Sequence, residues 1–77
     1  MVKAIFKRRE STERSRQYPN LMDPYVEQFR GEIPSEKIPR LPDIIIIECE
    51  KRGLPISGDW QVSFYQGGRS RSIQLRL

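Results

Sequence analysis

The chain of 77 residues contains no histidine and a single cysteine, Cys49. The absence of histidine removes the commonest general base. It also leaves Cys49 without the imidazole partner that a thiol nucleophile needs. One cysteine cannot close an internal disulfide, and with no histidine nearby it cannot assemble a zinc site. The expectation is therefore a non-enzymatic protein with no cofactor and no metal. Long apolar runs are also missing. The longest is Ile44 to Ile47, far short of the roughly 20 residues that span a bilayer. The opening Met1 to Arg9 turns basic after a few apolar residues and does not read as a secretory leader. No membrane is expected, and the localisation expected is cytoplasmic.

A chain of this length is one domain (residues 1–77), with a core so small that a partner or a homodimer is a natural source of extra stability. The net charge is +4, and it is unevenly spread. Residues 1–16 carry six Lys or Arg and two Glu, residues 17–59 five and eight acids, and residues 60–77 three Arg and no acid. Cationic ends around an acidic middle suggest that the two ends meet in a single anion-attracting surface. The bland alternative is ordinary solvated charge.

Val2 to Arg8 reads as a strand, because Val2, Ala4 and Phe6 share one parity and Lys3 and Lys7 the other. Residues 8–17 contain no apolar side chain and read as a flexible basic arm or loop. Asp23-Pro24 followed by Tyr25, Phe29 and Gly31 has the spacing of a short capped helix. Residues 32–42, with three prolines, read as an extended connector clipped to the core by Ile33, Ile38 and Leu41. The segment 43–52 is ambiguous. Four isoleucines favour a strand, whereas Asp43 at the start, Lys51 and Arg52 in the last turn and Gly53 beyond favour a helix. The flanks favour the helix, with the strand as the open alternative. Trp60, Val62 and Phe64, then Ile73, Leu75 and Leu77, alternate with polar residues around Gln66-Gly67-Gly68-Arg69-Ser70 and read as a β-hairpin. The fold class expected is α+β: a small antiparallel sheet, built from the N-terminal strand and the C-terminal β-hairpin, packed by one or two short helices.

Two surfaces follow as candidates. The first is a nucleic-acid grip made of Lys7, Arg8, Arg9, Arg14 and Arg16 from the arm, Arg69 and Arg71 from the hairpin tip, and Arg76 and Tyr65 from the polar face. Guanidinium groups meet phosphates, and an exposed tyrosine stacks on a base. The second is a protein-contact patch made of Tyr18, Tyr25 and Phe29, which would make the chain an inhibitor or adaptor of the kind encoded by phages, viruses or mobile elements. Against these stand a solubilising tail and a plain lid over the hairpin. Cys49 reads as a small buried hydrophobe, and Glu48 and Glu50 as solvated acids.

Ile38-Pro39, the helix after it, Arg52-Gly53-Leu54-Pro55, the Gly58-Asp59 turn, Val62 and the closing hairpin resemble the swapped-hairpin domains of AbrB-type transcription regulators and SymE-like toxins. Ser57 is extra relative to that pattern. The resemblance covers residues 38–77 and implies an intertwined dimer that binds DNA or, in the toxin branch, targets RNA. The leading expectation is a nucleic-acid-binding regulator, with RNA or DNA as partner.

Overall fold

The computed structural model describes residues 1–10, 17 and 24–77. Four strands form one antiparallel sheet: β1 (Val2–Arg9), β2 (Glu27–Ile33), β3 (Asp59–Gln66) and β4 (Arg69–Arg76), in the spatial order β2-β1-β3-β4. A 3-10 turn (Ser35–Arg40) leads into the helix α1 (Leu41–Arg52). The fold is thus α+β, an open four-stranded sheet with a helix, and both the N-terminal strand and the C-terminal hairpin are present.

Alternation explains the core. Val2, Ala4 and Phe6 of β1 are buried together with Trp60, Val62 and Phe64 of β3. Ile33 of β2 and Leu41, Ile45 and Cys49 of α1 complete the cluster. Every second side chain of a strand points the same way, so one sheet face lies under the helix, and no described helix covers the other. The helix keeps Leu41, Ile45 and Cys49 inward at four-residue spacing. It ends at Gly53 in the left-handed region (φ 67°), whose backbone N–H donates to the Cys49 carbonyl. The flanks of this segment therefore outweighed the β preference of its isoleucines.

The helix expected from Asp23 to Gly31 is not formed over its described residues, 24–31. Glu27–Ile33 is instead an edge strand of seven residues paired with β1 from Val2↔Ile33 to Arg8↔Glu27. A two-turn helix has little intrinsic stability, whereas Phe29 in this strand stacks on Phe6 with ring centroids 4.8 Å apart. Gly31 is not a helix exit. It sits opposite Ala4, and a Cβ there would lie 3.3 Å from Cε2 of Phe6. The connector expected over residues 32–42 is also corrected. Glu32 and Ile33 belong to β2, residues 35–40 form the 3-10 turn, and the helix begins at Leu41 with Pro42 in its first turn. Ile33 and Leu41 are buried all the same. Arg8, expected both as the end of the first strand and as the start of the arm, lies in β1 and is buried, and Arg9, expected in the arm, is the last residue of that strand.

The hairpin turn is tighter than its sequence suggested. Gly67 and Gly68 alone make it, both at positive φ (56° and 77°), and Gln66 pairs directly with Arg69. Two consecutive residues at positive φ fit the right-handed twist of the flanking strands. Arg69, Ser70 and Arg71 are therefore strand residues.

Candidate nucleic-acid interface

The registers define the open face row by row. At the hairpin-turn end lie Glu32, Lys3, Tyr65 and Ser70, followed by Arg30, Ile5, Ser63 and Ser72. Next come Gln28, Lys7, Gln61 and Gln74, then Arg9, Asp59 and Arg76. None of these residues is buried. Five cations (Lys3, Lys7, Arg9, Arg30 and Arg76) thus face two carboxylates (Glu32 and Asp59). On α1, by contrast, Asp43, Glu48 and Glu50 slightly outnumber Lys51 and Arg52, and Glu48 pairs with both of these cations. The sheet face turned away from α1 is thus cationic, five to two, while the surface of α1 itself is close to neutral.

Tyr25, just before β2, anchors one end of this face. Its hydroxyl donates to Oε1 of Gln61. The Lys7 ammonium lies 5.4 Å and the Arg9 guanidinium 4.1 Å from its ring centroid, within the range of cation–π attraction. The arrangement holds two cations in place above the sheet. Arg9, Tyr25, Asp59, Gln61, Gln74 and Arg76 line a cleft of about 270 Å³ together with Trp60 and Leu75. Arg76 donates from Nε to Oδ1 of Asp59 at 2.9 Å, a pair exposed enough to be screened. At the other end, Lys3, Ile5, Arg30, Glu32 and Tyr65 border a wider groove of about 540 Å³. Tyr65 is 48 % exposed there.

The residues expected to form a single grip are divided. Lys7, Arg9, Arg76 and Tyr65 share the open face. Arg69 and Arg71 have the opposite parity and project on the helix side, where Arg71 pairs with Phe64. They also stand at the other end of the sheet from Arg9, which pairs with Asp59. That separation spans about seven residues of β3, or roughly 23 Å. The two basic termini therefore do not converge, and the carboxylate of Asp59 lies between Arg9 and Arg76. Arg14 and Arg16 lie outside the described residues.

Arg8 is not available to a partner. It has the parity of Val2, Ala4 and Phe6, so its side chain turns inward and is 5 % exposed. Nη1 donates to the Ser57 carbonyl at 2.8 Å, and Nη2 lies 3.8 Å from Oε1 of Glu27. Nε has no hydrogen-bond partner among the described residues. Gly58 makes room for this guanidinium: a Cβ there would stand 3.2 Å from Nη1 of Arg8 and 2.6 Å from the Arg9 carbonyl oxygen.

The aromatic contact patch is divided as well. Tyr25 belongs to the open face, whereas Phe29 is on the inner face. There it stacks on Phe6, meets Trp60 edge-on at 6.0 Å and lies under the Arg52 guanidinium at 4.3 Å. Tyr18 lies outside the described residues. Lys3 and Arg30, which the reading of the sequence did not single out, join the open face. Lys3 had a legible signal, since it shares the parity of Lys7. Arg30 had none once its segment was read as helix.

Burial pushes the Cys49 thiol above its ordinary value of 9.0, an effect partly offset by the nearby positive charges of Arg8 and Arg52. Cys49 is accordingly a packed core group. Among the described residues, no three His, Cys, Asp or Glu gather into a metal-holding group, and no helix is long and apolar enough to cross a membrane. Comparison of the chain with family models, curated proteins and solved structures finds no match.

Proposed function

We propose that this chain is a non-enzymatic nucleic-acid-binding protein that takes a single strand of RNA or DNA across the open face of its sheet. The observation that carries this reading is the gathering of five cations, against two carboxylates, and an exposed tyrosine on the one sheet face that no described helix covers. Cations spread along a flat surface follow a phosphate chain. Tyr65 in the same row as Lys3 offers a ring to a base, and only an unpaired base can stack on it. From Lys3 to Arg9 the face runs about 20 Å, enough for a few nucleotides. The resemblance of residues 38–77 to DNA- and RNA-binding swapped-hairpin domains agrees with this reading.

The test is anisotropy of labelled ten-nucleotide single-stranded RNA, single-stranded DNA and a duplex of the same sequence over a range of salt. About four neutralised phosphates give a log–log salt slope near −3 for a single strand. Tyr65→Ala weakens binding by roughly tenfold, the value of about one stacked base. A duplex bound as tightly as the single strands, or an affinity indifferent to salt, overturns the proposal.

A further inference from the structure

The cleft at the Arg9 end differs from the rest of the face in its chemistry. It is bordered by two guanidinium groups but has a carboxylate, Asp59, between them. That carboxylate repels a phosphate and disfavours the backbone at this point. It also supplies what a nucleobase needs, an ionised acceptor held in place, because the Arg76 Nε–H fixes Oδ1 at 2.9 Å. A carboxylate retains further lone pairs when one is used this way. Two residues along the same face of β3 stands Gln61, about 7 Å from Asp59 along the strand. Its Oε1 is engaged by the Tyr25 hydroxyl, so its amide N–H groups are the part left to donate. Gln74 is directly opposite on β4 and doubles that donor capacity.

The cleft therefore presents an anionic acceptor next to amide donors. Among the bases, guanine carries the complementary edge: two adjacent donors, N1–H and the N2 amino group, beside the O6 acceptor. Two N–H groups directed at one carboxylate form charge-assisted bonds, the stronger kind. Adenine offers the carboxylate only its single amino group. Uracil flanks its one N–H with two carbonyl oxygens, which the carboxylate repels. The wall formed by the Tyr25 ring and the Arg9 guanidinium, 4.1 Å from its centroid, gives a flat surface for the base to lie against.

We infer that the cleft between Arg9, Asp59, Gln61 and Gln74 is a guanine-selective base subsite within the single-strand path. This rests on the function proposed above. In the experiment, anisotropy is read for ten-nucleotide uridine RNA, alone or with one central guanosine or one central adenosine. The guanosine oligomer binds about tenfold or more tighter than the adenosine one, as expected for a good two-bond base contact. Asp59→Asn removes this preference, so that the guanosine and adenosine oligomers bind it alike. Gln61→Glu still accepts the Tyr25 hydroxyl but places an acceptor against O6, so it also removes the preference and serves if Asp59→Asn does not fold. Equal binding of the guanosine and adenosine oligomers, or a preference that survives in the folded variants, overturns the subsite while the wider reading stands. Failure of every oligomer to bind overturns both.

Discussion

Arg8 and Arg9 are neighbours in a basic run, yet the structure gives them opposite roles, and a pair of alanine substitutions separates these roles. Arg8→Ala removes a charge-assisted hydrogen bond to the Ser57 carbonyl, worth about 1.5–3 kcal/mol. It also removes an aliphatic stem packed beside Gly58 and opposite Trp60. Glu27 loses its partner, but its side chain is 28 % exposed and water takes over. Part of the loss is offset, because the wild-type guanidinium buries an Nε without a described partner. The net expectation is a loss of about 2–3 kcal/mol. At about 4–8 °C per kcal/mol for a domain of this size, Tm falls by roughly 10–20 °C. The assay is thermal unfolding by circular dichroism, paired with anisotropy on single-stranded RNA well below the lower Tm. Arg8→Ala leaves the affinity within about twofold. Arg9→Ala does the reverse: Tm moves by only a few degrees, and the affinity falls several-fold as one of the five positive charges of the open face is lost. An Arg8→Ala protein with unchanged Tm and weakened RNA binding would refute the placement of Arg8 in the interior and the division of the basic run with it.

Two further outcomes follow from the core. Gly58→Ala forces a Cβ to within 2.6 Å of the Arg9 carbonyl oxygen at a φ of 137°, and the Gly58–Leu77 bonds that close the sheet, both 3.0 Å, are lost with it. Backbone strain of about 1–3 kcal/mol lowers Tm by at least 5 °C, and a melt equal to wild type contradicts this. Cys49 is held neutral by burial, so its folded pKa lies above the unfolded value. An acid of that kind favours the folded state below the unfolded pKa, and its contribution is lost as pH rises past about 9. Denaturant midpoints should decline over that range less steeply in Cys49→Ala than in wild type, and a disulfide reagent at neutral pH should react only as fast as the protein opens.

Parity was the most legible feature of the chain. The alternation in β1 and β3 gave the strands and their buried faces, and the same alternation extended one step already placed Arg8 inward. The arm reading missed this because a row of charges was taken as solvated without following the period through it. The segment Asp23 to Gly31, expected as a helix, departs from that expectation for a different reason. Proline, tyrosine, phenylalanine and glycine at those intervals suit a short helix locally. The competing strand pays off only through long-range pairing with β1 and stacking on Phe6, which no local window contains.

Composition and spacing alone determined that this chain offers no histidine chemistry, that it carries excess positive charge, and that the alternating apolar residues of β1 and the C-terminal hairpin form strands. These properties are local or additive. Tertiary structure decided which charges share a surface. Strand order placed the hairpin tip at the far end from Arg9, and register set Arg30, Lys3 and Arg76 on one face with Asp59 and Gln61. The reason is that a side chain's face depends on its pairing partner and on what covers the sheet, and both are fixed only when distant parts of the chain meet.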